Sequence, residues 1–110
     1  MADQTPKSYF EEKIARKLVE KPETSKAVNS IYEFNITGEN GGVWTVDLTK
    51  EPGTVQAGST GNAKCTVTCA ANDFMNIVSG KMNPQMAFMS GKLKIKGDMG
   101  LAMKLQKVIG

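Results

Sequence analysis

The stretch Ile31-Tyr32-Glu33-Phe34-Asn35-Ile36-Thr37, followed by Asn40-Gly41-Gly42-Val43-Trp44-Thr45-Val46-Asp47-Leu48, decides the fold. Tyr32, Phe34 and Ile36 alternate with Glu33, Asn35 and Thr37, the period of two that puts successive side chains on opposite faces of a strand. Trp44, Val46 and Leu48 repeat the pattern, with Thr45 and Asp47 opposite. Asn40-Gly41-Gly42 tolerates positive φ and reads as the turn between them. Two such runs predict an antiparallel sheet with one apolar face and one wet face.

Moving outward, Pro52-Gly53 makes the next turn, and Val55 and Ala57 mark a weaker third strand. Cys65, Val67 and Cys69 alternate with Thr66 and Thr68 in a fourth, so the pattern reads as an antiparallel meander. Upstream, Thr5-Pro6 suits a helix start, with a hydroxyl at the N-cap and proline in the first turn. Ser8 with Glu11 offers an alternative capping box. Phe10, Ile14 and Leu18 recur every four residues, and the helix should end near Pro22. A short second helix fits through Ala27 and Val28.

Downstream, Asn72 or Asp73 should cap a helix carrying Phe74, Met75, Ile77 and Val78 and closed by Gly80. Asn83-Pro84 opens another, with Met86, Phe88 and Met89, stopped at Gly91. Leu93 and Ile95 alternate with Lys92, Lys94 and Lys96 in a fifth strand with a cationic outer face. Gly97 or Asp98 leads into a last helix. The plan is α+β: a five-stranded, mostly antiparallel sheet covered on one face by about five helices. No repeat or linker interrupts it, so residues 1–110 read as one domain.

Composition narrows the function. The chain is 40% apolar and 23% charged, an ordinary globular balance. No apolar run reaches the roughly 18 residues that span a bilayer, and the N-terminus lacks the charged-then-apolar pattern of a secretory signal. Cys65 and Cys69 sit four residues apart, about 13 Å along a strand. A disulfide needs α-carbons within about 7 Å. They are therefore expected as free, buried thiols, which suit a reducing compartment.

Catalytic chemistry has few supports. The chain has no histidine, the commonest general base and metal ligand. Cys65-x-x-x-Cys69 has no second ligand pair for zinc, and Gly58-Ser59-Thr60-Gly61 lacks the lysine of a phosphate-binding loop. No catalytic residue, metal or cofactor is expected. Up to Ser79 there are ten acids and eight bases; from Gly80 onward there are six lysines and one acid, Asp98. A single arginine, Arg16, argues against base readout in nucleic acid, which favours the guanidinium fork. Diffuse attraction to an anionic surface or head group suits the lysines better.

Six of the seven methionines fall between Met75 and Met103. Methionine is flexible and polarisable, suited either to a core with gaps or to a cavity that accepts varied apolar shapes. In the last helix Val108, Leu101, Leu105, Ile109 and Ala102 share one sector, continued by Met99, Gln106 and Met103. This uncharged arc covers about 200°, nearly twice the stripe of about 100° that a surface helix needs. One part can pack on the sheet while the methionine edge meets a ligand or a partner. Gln85, Asn83 and Gln106 are the candidate polar groups beside it.

The run Gly80-Lys81-Met82-Asn83-Pro84-Gln85-Met86-Ala87-Phe88-Met89-Ser90-Gly91-Lys92-Leu93-Lys94-Ile95-Lys96-Gly97, then Met99-Gly100-Leu101-Ala102-Met103-Lys104-Leu105-Gln106, closely resembles the sterol carrier protein 2 family. Trp44-Thr45-Val46-Asp47-Leu48 and the Asp73-Phe74 helix start are similar too, and the resemblance extends from about Tyr9 onward. The resemblance implies a hydrophobic tunnel between sheet and helices. It also implies non-covalent binding and intermembrane transfer of long-chain fatty acids, fatty acyl-CoA, sterols and phospholipids by a monomer in transient contact with anionic membranes. Gln85 then corresponds to the ligand-side glutamine of the Asn-Pro-Gln motif. Met103 stands where relatives such as the C-terminal domain of the peroxisomal multifunctional enzyme carry a second glutamine. Trp44, Phe74, Met75, Val78, Met82, Phe88, Met89, Leu101 and Leu105 are the expected wall. The chain ends Val108-Ile109-Gly110, without the peroxisomal tripeptide of many relatives, so either cytoplasm or peroxisome is compatible. The alternative is a non-catalytic accessory or interaction domain of a larger lipid-metabolising enzyme.

Overall fold

The computed structural model of the chain describes residues 5–39, 41–50 and 53–104. Thr5 opens the first helix through a reciprocal capping box. Its hydroxyl accepts from the Ser8 N–H at 3.2 Å, and the Ser8 hydroxyl accepts from the Thr5 N–H at 3.0 Å. Ser8 therefore completes the Thr5 box and does not start the expected one with Glu11. From there α1 (Pro6–Ser8) passes through a π-helical turn (Tyr9–Ile14) into α2 (Ala15–Glu20). The wider turn buries Tyr9 and Phe10 together, ahead of Ile14 and Leu18. A third helix, α3 (Glu23–Val28), ends at Asn29, whose φ of 49° is left-handed.

The strands are β1 (Ile31–Thr37), β2 (Gly42–Asp47), β3 (Thr54–Ala57), β4 (Cys65–Ala70) and β5 (Leu93–Gly97). They lie in the order β3-β2-β1-β4-β5. Tyr32, Phe34 and Ile36 are buried on one face with Trp44, Val46, Cys65, Val67, Cys69 and Leu93, as the alternation predicts. The helices close this face with Phe10, Ile14, Leu18, Val28, Phe74, Ile77, Ala87 and Leu101 in one core. Gly42 leaves room for the indole. A β-carbon there would fall 2.8 Å from the Trp44 ring.

The expected four-stranded antiparallel meander is corrected at its last step. Strand β4 pairs with β1 in parallel, Tyr32 opposite Cys65 and Ile36 opposite Cys69, while the other pairings are antiparallel. After β3 the chain crosses the outer face of the sheet instead of turning back beside it. Three strand spacings are about 14 Å, well within the reach of the seven residues from Gly58 to Lys64. Two side chains hold the crossing segment down. The Thr45 hydroxyl donates to the Gly58 carbonyl at 2.7 Å, and the Ser59 hydroxyl donates to Glu33 Oε1 at 2.5 Å. Thr45, expected on the wet face, is consequently buried.

On the helix side, α4 (Ala71–Val78) starts directly from β4, with Ala70 as its N-cap, so neither Asn72 nor Asp73 is the cap. Asp73 instead occupies the first turn, where its charge complements the helix dipole. For α5 (Pro84–Met89) the cap is as expected: Asn83 accepts from the Gln85 N–H at 2.8 Å. Last comes α6 (Met99–Met103), where the Asp98 carboxylate accepts from the Gly100 N–H at 2.8 Å. The remainder of the predicted last helix, Leu105 to Ile109, lies outside the described residues.

Candidate functional site

The π-helical turn, β2 and α4 converge on an aromatic stack. Phe10 lies between Trp44 and Phe74, with ring centroids 4.9 and 5.0 Å away and interplanar angles of 13° and 16°. Phe34 tilts against Phe10 at 4.9 Å, and Tyr9 meets Phe74 edge-on at 5.7 Å. The Trp44 indole N–H donates to Glu11 Oε2 at 3.1 Å, so the buried ring keeps its polar atom satisfied. This cluster forms the part of the core where the first helices and α4 meet the sheet.

Toward the β5 edge the packing loosens. Met75 and Val78 on α4, and Met82 in the following turn, are half-buried and pack against the core. On α5 only Ala87 is buried, and it anchors the helix beside β5. At 100° per residue Met89 projects roughly opposite Ala87, with Met86 about 100° to one side of Ala87, and they are 79% and 68% exposed. Phe88 lies about 100° from Ala87 on the other flank and is 39% exposed. On α6, Leu101 is buried while Met103 is 87% exposed. These are costly surfaces for an aqueous protein, because apolar side chains of this size each gain about 1.5–3 kcal/mol from burial.

Among the expected wall residues, Trp44, Phe74 and Leu101 are in the core, and Met75, Val78 and Met82 border it. Gln85, Phe88, Met89 and Met103 are brought to the surface of the α5–α6 side. Leu105 and Gln106 lie outside the described residues. Asn83 is engaged as the α5 cap, which occupies its side-chain oxygen. Sequence reasoning missed Phe10 as the centre of the stack, since its spacing marked it only as helix core. It also missed Tyr32, whose hydroxyl donates to the Leu101 carbonyl across the core. A cavity of about 320 Å³ on the other side of the molecule is lined by Ser25, Lys26, Asn29, Leu48, Thr49 and Lys50. Its polar lining differs from the apolar wall that the family resemblance implies.

Burial holds the thiols and the Tyr32 phenol near the core in their neutral forms. Burial, with Asp98 second, pushes the Cys65 thiol up to about 11; burial, then Asp73, pushes Cys69 up to about 12. Burial also raises the Tyr32 hydroxyl, assisted by Cys65 and Asp98. Thiols held protonated are poor nucleophiles and poor metal ligands. Both cysteines are free. Among the described residues no three His, Cys, Asp or Glu side chains gather as a metal site. Among the described residues, this arrangement offers apolar surface and shape.

Comparison with known proteins agrees with this architecture. The model of the SCP-2 sterol transfer family matches residues 10–110. Hydroxysteroid dehydrogenase-like protein 2 of Xenopus laevis is 47% identical over 89 residues, covering 80% of this chain and 21% of that protein. The chain thus spans about a fifth of the length of the curated relatives it matches. Among solved structures, apo sterol carrier protein 2 from Yarrowia lipolytica superposes with a TM-score of 0.73 at 31% identity, covering 88% of this chain and 84% of that one. Palmitated SCP2L2 from Aedes aegypti does so with a TM-score of 0.62 at 30% identity, covering 89% and 92%. With the same sheet, the same helix layer and a family match over nearly its whole length, this chain belongs to the SCP-2 sterol transfer family.

Proposed function

We propose that the chain binds a long-chain lipid non-covalently between the α4–α6 helices and the sheet, and transfers it between membranes. The observation that carries this reading is the apolar series Met75, Val78, Met82, Phe88, Met89 and Met103. It runs from the core border to the surface beside the aromatic cluster. Such a gradient suits an acyl chain that threads from solvent toward the core. Each methylene moved out of water gains about 0.8 kcal/mol, so an ordinary acyl chain can reach micromolar affinity after its entropic costs. Flexible methionines adapt to different shapes, which favours a broad ligand class of fatty acid, fatty acyl-CoA, sterol and phospholipid. The palmitated relative supports the fatty-acid member of that class.

In this reading the domain is non-catalytic and monomeric. Gln85 supplies a polar contact at the ligand head, and Lys92, Lys94, Lys96 and Lys104 touch anionic membranes transiently. Protonated, buried thiols support action in a reducing compartment, cytoplasm or peroxisome. Displacement of a fluorescent fatty acid by unlabelled fatty acid or acyl-CoA tests the proposal. Saturable competition is expected, and its absence for every long-chain lipid tried would end it. A second reading is favoured by one observation, the fifth of each dehydrogenase-like relative that this chain matches. The domain would then present lipid to a linked enzyme, and transfer between vesicles would be slow while binding remained.

A further inference from the structure

We infer that the outward side of α5 and α6 is a docking face for an anionic bilayer, with Met86 and Met99 entering the interface and Lys81, Lys92 and Lys104 ringing it. The inference rests on the lipid-transfer reading and names the surface through which transfer would occur. Met86 and Met99 are 68% and 51% exposed. Neither is among the expected wall residues, and Met99 lies on the methionine edge of the last helix that suits either a ligand or a partner. Both helices pack on β5, the edge strand, and α6 on β4 as well.

The charges flanking α5 and α6 are mostly positive. Lys81 precedes α5, Lys92 follows it and Lys104 follows α6, and all three are exposed. Between Gly80 and Lys104 the chain carries five lysines and one acid, Asp98. That carboxylate is engaged with the α6 backbone, at 2.8 Å from the Gly100 nitrogen. A protein partner fits this composition less well, because protein interfaces are depleted in lysine and enriched in arginine. A bilayer suits it: lysine stems lie along apolar surface while their ammoniums reach lipid phosphates. Anionic head groups then add a salt-dependent attraction to the apolar insertion.

The test is flotation of the full 110-residue chain with vesicles of phosphatidylcholine alone or with one third phosphatidylserine. Partition at least tenfold stronger onto the anionic vesicles, weakened by salt, is expected. The Met86→Ser/Met99→Ser variant should lose at least fivefold of that partition. Lys81→Gln/Lys92→Gln/Lys104→Gln should abolish most of the preference for phosphatidylserine. Both variants should displace fluorescent fatty acid within twofold of the parent. Equal binding to the two vesicle types, or parent-like partition of both variants, would overturn the docking face while leaving the cargo reading intact. A dimer in sedimentation velocity that the methionine substitutions dissolve would overturn it in favour of a second copy. Vesicle binding with no fatty-acid displacement would sustain the face and remove the cargo reading.

Discussion

The Tyr32 hydroxyl on β1 donates to the Leu101 carbonyl on α6, tying together positions 69 residues apart. Both residues are buried, so the bond lies where water cannot substitute for it. Lys104 also donates to the same carbonyl, at 3.0 Å, which leaves it one partner if the phenol is removed.

Tyr32→Phe should therefore cost about 1 kcal/mol in urea denaturation, the net worth of one hydrogen bond with its acceptor still satisfied. Its distinctive effect is local. Amide exchange at Leu101 and its α6 neighbours should accelerate while the sheet amides follow only the global loss. Uniform acceleration would deny the bond any tethering role.

Phe10→Ala removes the middle ring from between Trp44 and Phe74. Truncating a fully buried phenylalanine costs about 3–5 kcal/mol, and the stacking geometry adds to that. Thermal unfolding should shift sharply downward, and the emission of Trp44 should move to the red as water reaches the indole. A loss below about 1 kcal/mol would show that the stack can close over the gap.

At Met103 stability and binding should separate. The side chain is 87% exposed, so Met103→Lys should alter folding free energy by no more than about 0.5 kcal/mol. Fatty-acid affinity should fall at least fivefold, because the proposed acyl path starts from solvent at this exposed position and a charge there would oppose apolar entry. Equal changes in the two measurements would return Met103 to a purely structural part. Phe88→Trp, at a half-exposed position, should behave in the same way with a smaller effect.

The thiols predict an alkaline limit. Folding raises Cys65 to about 11 and Cys69 to about 12. The unfolded thiols ionise near pH 8.5. Below that pH their contribution to stability is complete. Above it the unfolded state sheds protons first, and each thiol withdraws up to about 1.4 kcal/mol per pH unit until its folded value is reached. Chemical denaturation at pH 8, 9 and 10 should show this decline, and a Cys65→Ala/Cys69→Ala variant should show less of it. A flat profile in the parent would contradict the burial argument.

Gly97→Ala should destabilise by about 2–3 kcal/mol, the combined cost of strained backbone and a clash. Gly97 has φ of 111°, and a β-carbon there would fall 2.4 Å from the Lys64 carbonyl oxygen. Melting-temperature measurements would settle this. A neutral substitution would mean that the turn from β5 into α6 can be rebuilt.

Strand positions, helix positions and their apolar faces were legible from local pattern, because period and capping depend on near neighbours. Thr5, Asn83, Gly80 and Gly91 act where their types direct them, and the alternation of β1, β2 and β4 places the expected residues in the core. The run from Gly80 to Gln106 was enough to identify the family. What local pattern could not carry was the partner of each strand. A period of two reads the same beside a parallel neighbour as beside an antiparallel one, so the crossing of Gly58–Lys64 over Thr45 and Glu33 was invisible until the chain folded.

The candidate site divides along the same line. Residue type marked Met75, Phe88, Met89 and Met103 as apolar and adaptable, and the lysine excess after Gly80 as a cationic third. Tertiary structure alone decided that Phe74 joins the stack around Phe10 while Met86, Met89, Met99 and Met103 face outward. The reason is physical. Amphipathic spacing states which side chains share a helix face, but burial depends on which part of the sheet each helix meets, and α5 meets only the edge strand β5 closely.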